Sequence, residues 1–274
     1  MQQHPSAPTL FADGKLWVAI AALVQPWMIA LWKRFVRRGT IRIYPTGNIE
    51  LGYSNFGPTI GLRGTVHAIG HDVFVKSARL LVIRAKDNAQ LHLNWFITRP
   101  TTINLEGPQP SSAELAASFL LKKSDPAAYH IVFSQPQFAT EHTAALQAFA
   151  KEWNEYGAKH TADAEAPLDE RYEDFRKQST TVTQLWSELN NTFFWHAGAY
   201  RMRLSVAVES PATNMDHDWT FQLTDQDASS LRLNVVAILQ QMAGLLVSWN
   251  FAYPKYADTA ERSGEDPKRR LSKR

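Results

Sequence analysis

Between Leu16 and Trp32 the chain runs seventeen residues, LWVAIAALVQPWMIALW, without a charge, and Lys33, Arg34, Arg37 and Arg38 follow at once. As a helix the run rises roughly 25 Å, a little short of the hydrocarbon core of about 30 Å. Phe35 and Val36 extend it if Lys33 and Arg34 snorkel to the headgroups. Trp17 and Trp32 bracket the run as an interfacial belt would, with Trp27 between them. Gln25 and Pro26 weaken its centre, since Pro removes a backbone donor and favours a kink. The reading is a membrane anchor over residues 15–38 with a basic stop; an interfacial or re-entrant helix and a buried core helix are the alternatives. A cleaved signal peptide fits poorly, because Asp13 lies in the leading segment and no small-x-small site ends the run. Lys15, offset by Asp13, stands against four cations on the far side, which predicts a C-terminal body in the cytoplasm.

About 235 residues beyond the anchor are enough for one large domain or two small ones. The chain has no Cys, which excludes disulfides and thiolate metal sites. Of the net charge of +3, residues 33–42 contribute +5 and 255–274 contribute +3, leaving −5 for the rest. A mildly acidic body with basic ends argues against nucleic acid as a partner. It suits an anionic inner-leaflet surface better.

Residues 1–14 and 251–274 read as flexible ends, the second of them basic. The body, 39–250, opens with period-two alternation. Ile41–Tyr44 and Ile49–Tyr53 flank Pro45-Thr46-Gly47-Asn48, a hairpin signal. Ile60 to Ala68, Val73 to Ile83 and Leu91 to Ile97 continue as strands, with Arg63, Thr65 and His67 on the face away from the core. Residues 111–190 read as a mainly helical insertion. A short helix runs from Ser111 or Ser112 to Leu121, and Tyr129 to Phe133 form one strand. A helix from Thr140 carries Leu146, Phe149, Trp153 and Tyr156. Residues 158–167 form an exposed linker, and a helix opened by Pro167 carries Leu168 to Leu189. Strands return at Tyr200–Val208 and Trp219–Leu223. A helix over Asp225–Trp249, capped by Thr224 with Asp227, closes the body.

The fold class expected is mainly β with inserted helices (α+β), a β-sandwich body behind an N-terminal transmembrane or membrane-associated helix. The phrase AGAYRMRLSV, residues 197–206, resembles the closing strands of an immunoglobulin-like sandwich, in which a Gly turns the chain into a Tyr-led strand. The resemblance covers about a dozen residues and brings no functional residues with it.

Chemistry is sparse. There is no Gly-x-Gly-x-x-Gly, Walker loop, Gly-x-Ser-x-Gly or His-Glu-x-x-His. His67, His71 and His92 are the three imidazoles that a zinc site would draw on, but their spacing across a turn does not put them on one helix face. Asp216-His217-Asp218 sits in a Pro/Asn loop, where solvated charge is the ordinary outcome. His196 lies between Trp195 and Ala197. Asp169, Glu170, Glu173 and Asp174 cluster at a helix start, where the dipole favours them. No catalytic residue, cofactor or metal is implied. The broad apolar face of Asp225–Trp249 reads as a second membrane span, a core helix, or an interface helix offering Ile238, Leu245 and Trp249 to another subunit or to the bilayer.

Three functions remain open: a membrane-anchored binding or scaffold module engaging protein partners, an oligomeric membrane effector that alters permeability, and a hydrolase using the histidines. The missing motifs favour the first two.

Overall fold

The computed structural model describes residues 22–29, 39–46, 48–99, 114–160, 166–209, 212 and 214–258. The body is mostly antiparallel β with several helices, as the alternating stretches predict. Eleven strands form one sheet: β1 (Thr40–Pro45), β2 (Glu50–Ser54), β3 (Gly57–Ile69), β4 (Val73–Arg84), β5 (Gln90–Thr98), β6 (Glu114–Leu115), β7 (Phe119–Leu121), β8 (Ala127–Ser134), β9 (Gly198–Val208), β10 (Met215–Leu223) and β11 (Tyr256–Asp258). The order is β1-β3-β8-β5-β4-β9-β10-β11, with β2 on β3, β6 on β5 and β7 on β4.

The expected hairpin between the first two strands does not form. β3 spans thirteen residues, about twice the usual strand, so one of its edges serves two partners. Ser54–Glu50 pair with Gly57–Gly61, and Pro45–Thr40 pair with Gly64–Ile69. The sheet then curls. The free edge of β2 meets the C-terminal chain in two bridges, Leu51 with Ala252 and Asn48 with Lys255. That same chain runs into β11, which pairs with β10. Residues 252–258 therefore join the two ends of the curl.

Inside it, alternate residues of the long strands make the core, among them Ile60, Leu80, Leu93, Met202 and Phe221, with Leu51 of β2 beside them. Packing leaves an apolar void of about 40 Å³ near Leu62, Trp95, Tyr129 and Leu204, room for about one water and no ligand.

Helix α1 covers residues 22–29; α2 (Phe138–Glu141), α3 (Thr143–Lys159), α4 (Leu168–Gln178), α5 (Thr180–Asn191) and α6 (Asp225–Met242) follow. The core face of β2 packs on α6, α6 on α5, and α5 on α3. Two long-range hydrogen bonds fasten this layer: Tyr53 Oη donates to Leu189 O at 3.3 Å, and Trp195 Nε1 donates to Gly52 O at 2.8 Å.

Three helix boundaries depart from the sequence reading. In place of a helix up to Leu121, Glu114–Leu115 and Phe119–Leu121 are short strands, because they find ladder partners on β5 and β4. The helix expected over 168–189 breaks at Ser179, whose extended backbone ends α4 and whose Oγ accepts from Val182 N–H to cap α5. The helix expected to reach Trp249 stops at Met242. Gly244 sits at φ +88° while Leu245 N–H reaches Gln240 O and Gly244 N–H reaches Gln241 O, the paired closure that ends a helix on a left-handed Gly.

The Gly-to-Tyr phrase is built as a corner. Gly198 takes φ +141°, and two residues later Tyr200 folds back. Its Oη donates to His196 O at 2.7 Å and accepts from His196 N–H at 2.9 Å, while its ring stacks on Phe221 at 5.0 Å.

Of the anchor residues, Trp27 lies in α1 and is exposed; Leu16, Trp17, Trp32, Lys33, Arg34, Arg37 and Arg38 lie outside the described residues, as do 1–14 and 259–274 of the two ends read as flexible. The first part of the second end, 251–258, is not a loose tail: it bridges to Asn48 and Leu51 and pairs with β10, because it finds open strand edges there. Among the described residues no helix is long and apolar enough to cross a membrane.

Candidate functional site

β2 places Glu50 on the outer face of the sheet, opposite Gly61 of β3. Two residues along the same face of β3 comes Arg63, opposite His130 of β8, and Arg99 N–H bonds His130 O at 2.8 Å just past the end of β5. The order β2-β3-β8-β5 thus sets four polar side chains in one row across the strands.

Arg63 Nη2 donates to Glu50 Oε2 at 3.1 Å, and Arg99 Nη1 donates to Oε1 at 2.7 Å. The Glu50 side chain is only 8% exposed, whereas Arg63 and Arg99 keep 54% and 34%. One buried carboxylate is therefore shared by two guanidiniums that still face water. Arg63 Nε leans on His130 Nε2 at 3.4 Å. Burial first, then the charge of Arg63, pushes the His130 imidazole down to about 4, against the weaker opposite pull of Glu50. With that imidazole neutral at pH 7, the row carries one net positive charge. Gly61 relieves the crowding: a Cβ there would lie 3.1 Å from Glu50 Cβ and 3.3 Å from His130 Nε2.

Two depressions flank the row. A cleft of about 400 Å³ lies beside Glu50 and Arg63, walled by Thr46, Asn48 and Tyr253. Another of about 310 Å³ lies beside Arg99, walled by Phe56, Phe96, Trp249 and Phe251. Phe56 and Phe96 rings meet at 4.8 Å, and Phe56 and Phe251 stay exposed. The chain carrying Phe251 and Tyr253 is held down from below. Asn234, fully buried on α6, donates to Asn250 O and accepts from Asn250 N–H, both at 2.8 Å. Gly52 lets the Phe251 ring approach; a Cβ there would come within 3.1 Å of it.

The residues singled out from sequence are not brought together. His67, on β3, contacts Lys123 O, and His92 lies on β5 with β8 between them; His71 sits in the turn before β4. Among the described residues no three His, Asp or Glu side chains could hold a metal ion. Asp216 accepts from Ser205 Oγ at 2.6 Å and Asp218 takes both ends of the Arg203 fork at 2.7 and 3.0 Å, so these carboxylates tie β10 to β9. His196 contacts Phe193 O, and burial lowers its pKa. Glu173 and Asp174 pair with Arg176 and Lys177 along α4. Ile238 is in the core, while Leu245 and Trp249 lie half-buried beyond the helix end. A second pair, the buried His142 Nδ1 with the partly exposed Glu188 Oε1 at 2.6 Å, joins the start of α3 to α5 and lines neither cleft.

Glu50, Arg63, Arg99 and His130 escaped the sequence reading. The signal available was a carboxylate inside an otherwise core-like stretch, Ile49-Glu50-Leu51. No protein-family model matches the chain, and no curated protein or solved structure does.

Proposed function

We propose that the chain is a membrane-anchored binding module whose body, on the cytoplasmic side, engages a protein partner through the aromatic cleft. One observation carries the reading: Phe56 and Phe251 stand open to water beside the Arg99 guanidinium, a combination of aromatic and Arg side chains that interfaces favour. Anchoring is supported by the uncharged run with its basic stop, and by α1, where Leu23, Trp27 and Met28 are all exposed and gain from lipid cover. The finer view of the body as an immunoglobulin-like sandwich is supported by the Tyr200 corner, a device of such folds.

The test uses the full chain in cells, with a photo-crosslinking amino acid at Phe251 or, as control, at Arg203. A discrete protein adduct from the first position alone is the expected result. Lipid adducts or none at Phe251 would overturn the reading. Retention of the chain in membranes through an alkaline carbonate wash is expected, and release would remove the anchor.

Self-association is a second reading, favoured by Leu233, Val236 and Leu246, exposed on and just beyond α6. Replacing Leu233 with Asp should lower the assembly size in detergent if that face is covered by a second copy.

A further inference from the structure

Resting on the binding-module reading, we infer that the Glu50 row and its two clefts form one site for an extended acidic peptide, with an Asp or Glu side chain of the partner seated on Arg63 and Arg99. Three observations on the outer face lead there.

The first is charge. Two guanidiniums share one carboxylate, and His130, held neutral, adds nothing. A site with one surplus positive charge is complemented by a single anionic group. The second is unused donors. Among the described residues Arg63 makes bonds through Nε and Nη2 and Arg99 through Nη1. Among the described residues Arg63 Nη1 and both Nε and Nη2 of Arg99 bond no acceptor, which suits them to a further one. Glu50 and His130 hold Arg63 at two nitrogens and Glu50 holds Arg99 at one, so a second carboxylate meets partly positioned donors and less side-chain entropy is lost on binding. The third is shape. Phe251 lines the cleft on the Arg99 side and Tyr253 the cleft on the Arg63 side. Two residues along an extended chain are about 7 Å apart. Depressions on both sides of the charge fit a chain that continues past it in both directions, so the anion is a side chain within a peptide and not a chain end. Apolar residues two positions before and after the acid would fall into the two clefts.

The probe is the labelled nonapeptide GSFSESFSG, titrated against the full chain in detergent micelles by fluorescence anisotropy. Binding should weaken about tenfold or more when its Glu is made Gln, when both Phe are made Ser, and in Arg63→Ala, Arg99→Ala and Phe251→Ala. Arg99→Lys, which leaves Glu50 a cation but removes the fork, should also weaken it while near-ultraviolet circular dichroism stays native; that variant answers the objection that Arg99→Ala unfolds. Arg203→Ala should bind as the parent does. Equal affinity for the Glu and Gln peptides, or unchanged binding in Arg63→Ala and Arg99→Lys, would overturn the inference. Tighter binding of the phosphoserine peptide than of the Glu peptide would replace the carboxylate with a phosphate, and would overturn it too. So would Arg-dependent capture by phosphatidylglycerol vesicles with no peptide binding. A protein adduct at Phe251 without peptide binding would overturn the acidic-peptide assignment and leave the binding module standing. Loss of both would overturn both.

Discussion

Two carboxylates on this sheet are each held by arginine, and they teach different things. Asp218 on β10 takes both ends of the guanidinium of Arg203 on the neighbouring strand, with both partners about half exposed. Glu50 takes two guanidiniums, and is itself nearly closed off from water. The first arrangement is a balanced surface pair, which costs the sheet little and gains it little. The second is unbalanced and partly desolvated. It stabilises Glu50 but leaves its arginines with unspent hydrogen-bonding capacity. Stoichiometry and burial, more than hydrogen-bond length, separate a strand fastening from a recognition site.

Removing the two carboxylates should break the comparison most sharply. Glu50→Ala leaves two guanidiniums facing each other beside a half-lined pocket, and should cost about 3 kcal/mol, near the lower end for a broken buried pair because both arginines keep some water. Asp218→Ala should cost at most about 1 kcal/mol. Urea midpoints of the two variants measure the difference, and equal losses would abolish the distinction.

Crowding gives the next effect. Gly61→Ala drives a methyl against Glu50 and His130 and should destabilise by about 1–2 kcal/mol. It should also weaken binding of the acidic nonapeptide by displacing the Glu50 carboxylate.

The pH dependence sharpens the contrast further. His130 is pushed down from 6.5 to about 4 in the folded chain, so between those values the unfolded chain binds the extra proton. Stability contributed by the neutral imidazole is complete above about 6.5 and is lost as pH falls through about 4. Thermal midpoints should therefore rise between pH 4.5 and 6.5, and His130→Gln should flatten that slope.

Smallest of all, Arg203→Ala should leave the urea midpoint close to that of the parent and lose even its small shift in 1 M salt, where exposed pairs are screened.

The strands were legible in the sequence because their alternation is local: Leu91, Leu93 and the residues between them declare a period of two without any partner. Partnership was not. Pro45 to Asn48 carries good turn chemistry, yet β1 and β2 both go to β3, whose length decides the matter. α6 was read too long because the apolar residues beyond Met242 keep helical spacing, and one Gly in a left-handed turn overrides them. The candidate site was illegible for the same reason on a larger scale. Glu50, Arg63, Arg99 and His130 come from or border four strands spread over eighty residues, and only the order β2-β3-β8-β5 makes them neighbours. The histidines, conspicuous as a residue type, were scattered by that same order.

The join between Leu51 and Ala252 also has a temporal meaning. During synthesis, the strand that carries Glu50 emerges about two hundred residues before the segment that covers its edge. At roughly 5–20 residues per second that is an interval of at least about ten seconds. Throughout it, the β2 edge offers unpaired N–H and C=O groups to any passing strand. Glu50, which emerges before Arg63 and Arg99, gives the young edge a charge that a foreign strand would have to accommodate. The carboxylate that arranges the finished cleft would then also guard the unfinished sheet against mispairing.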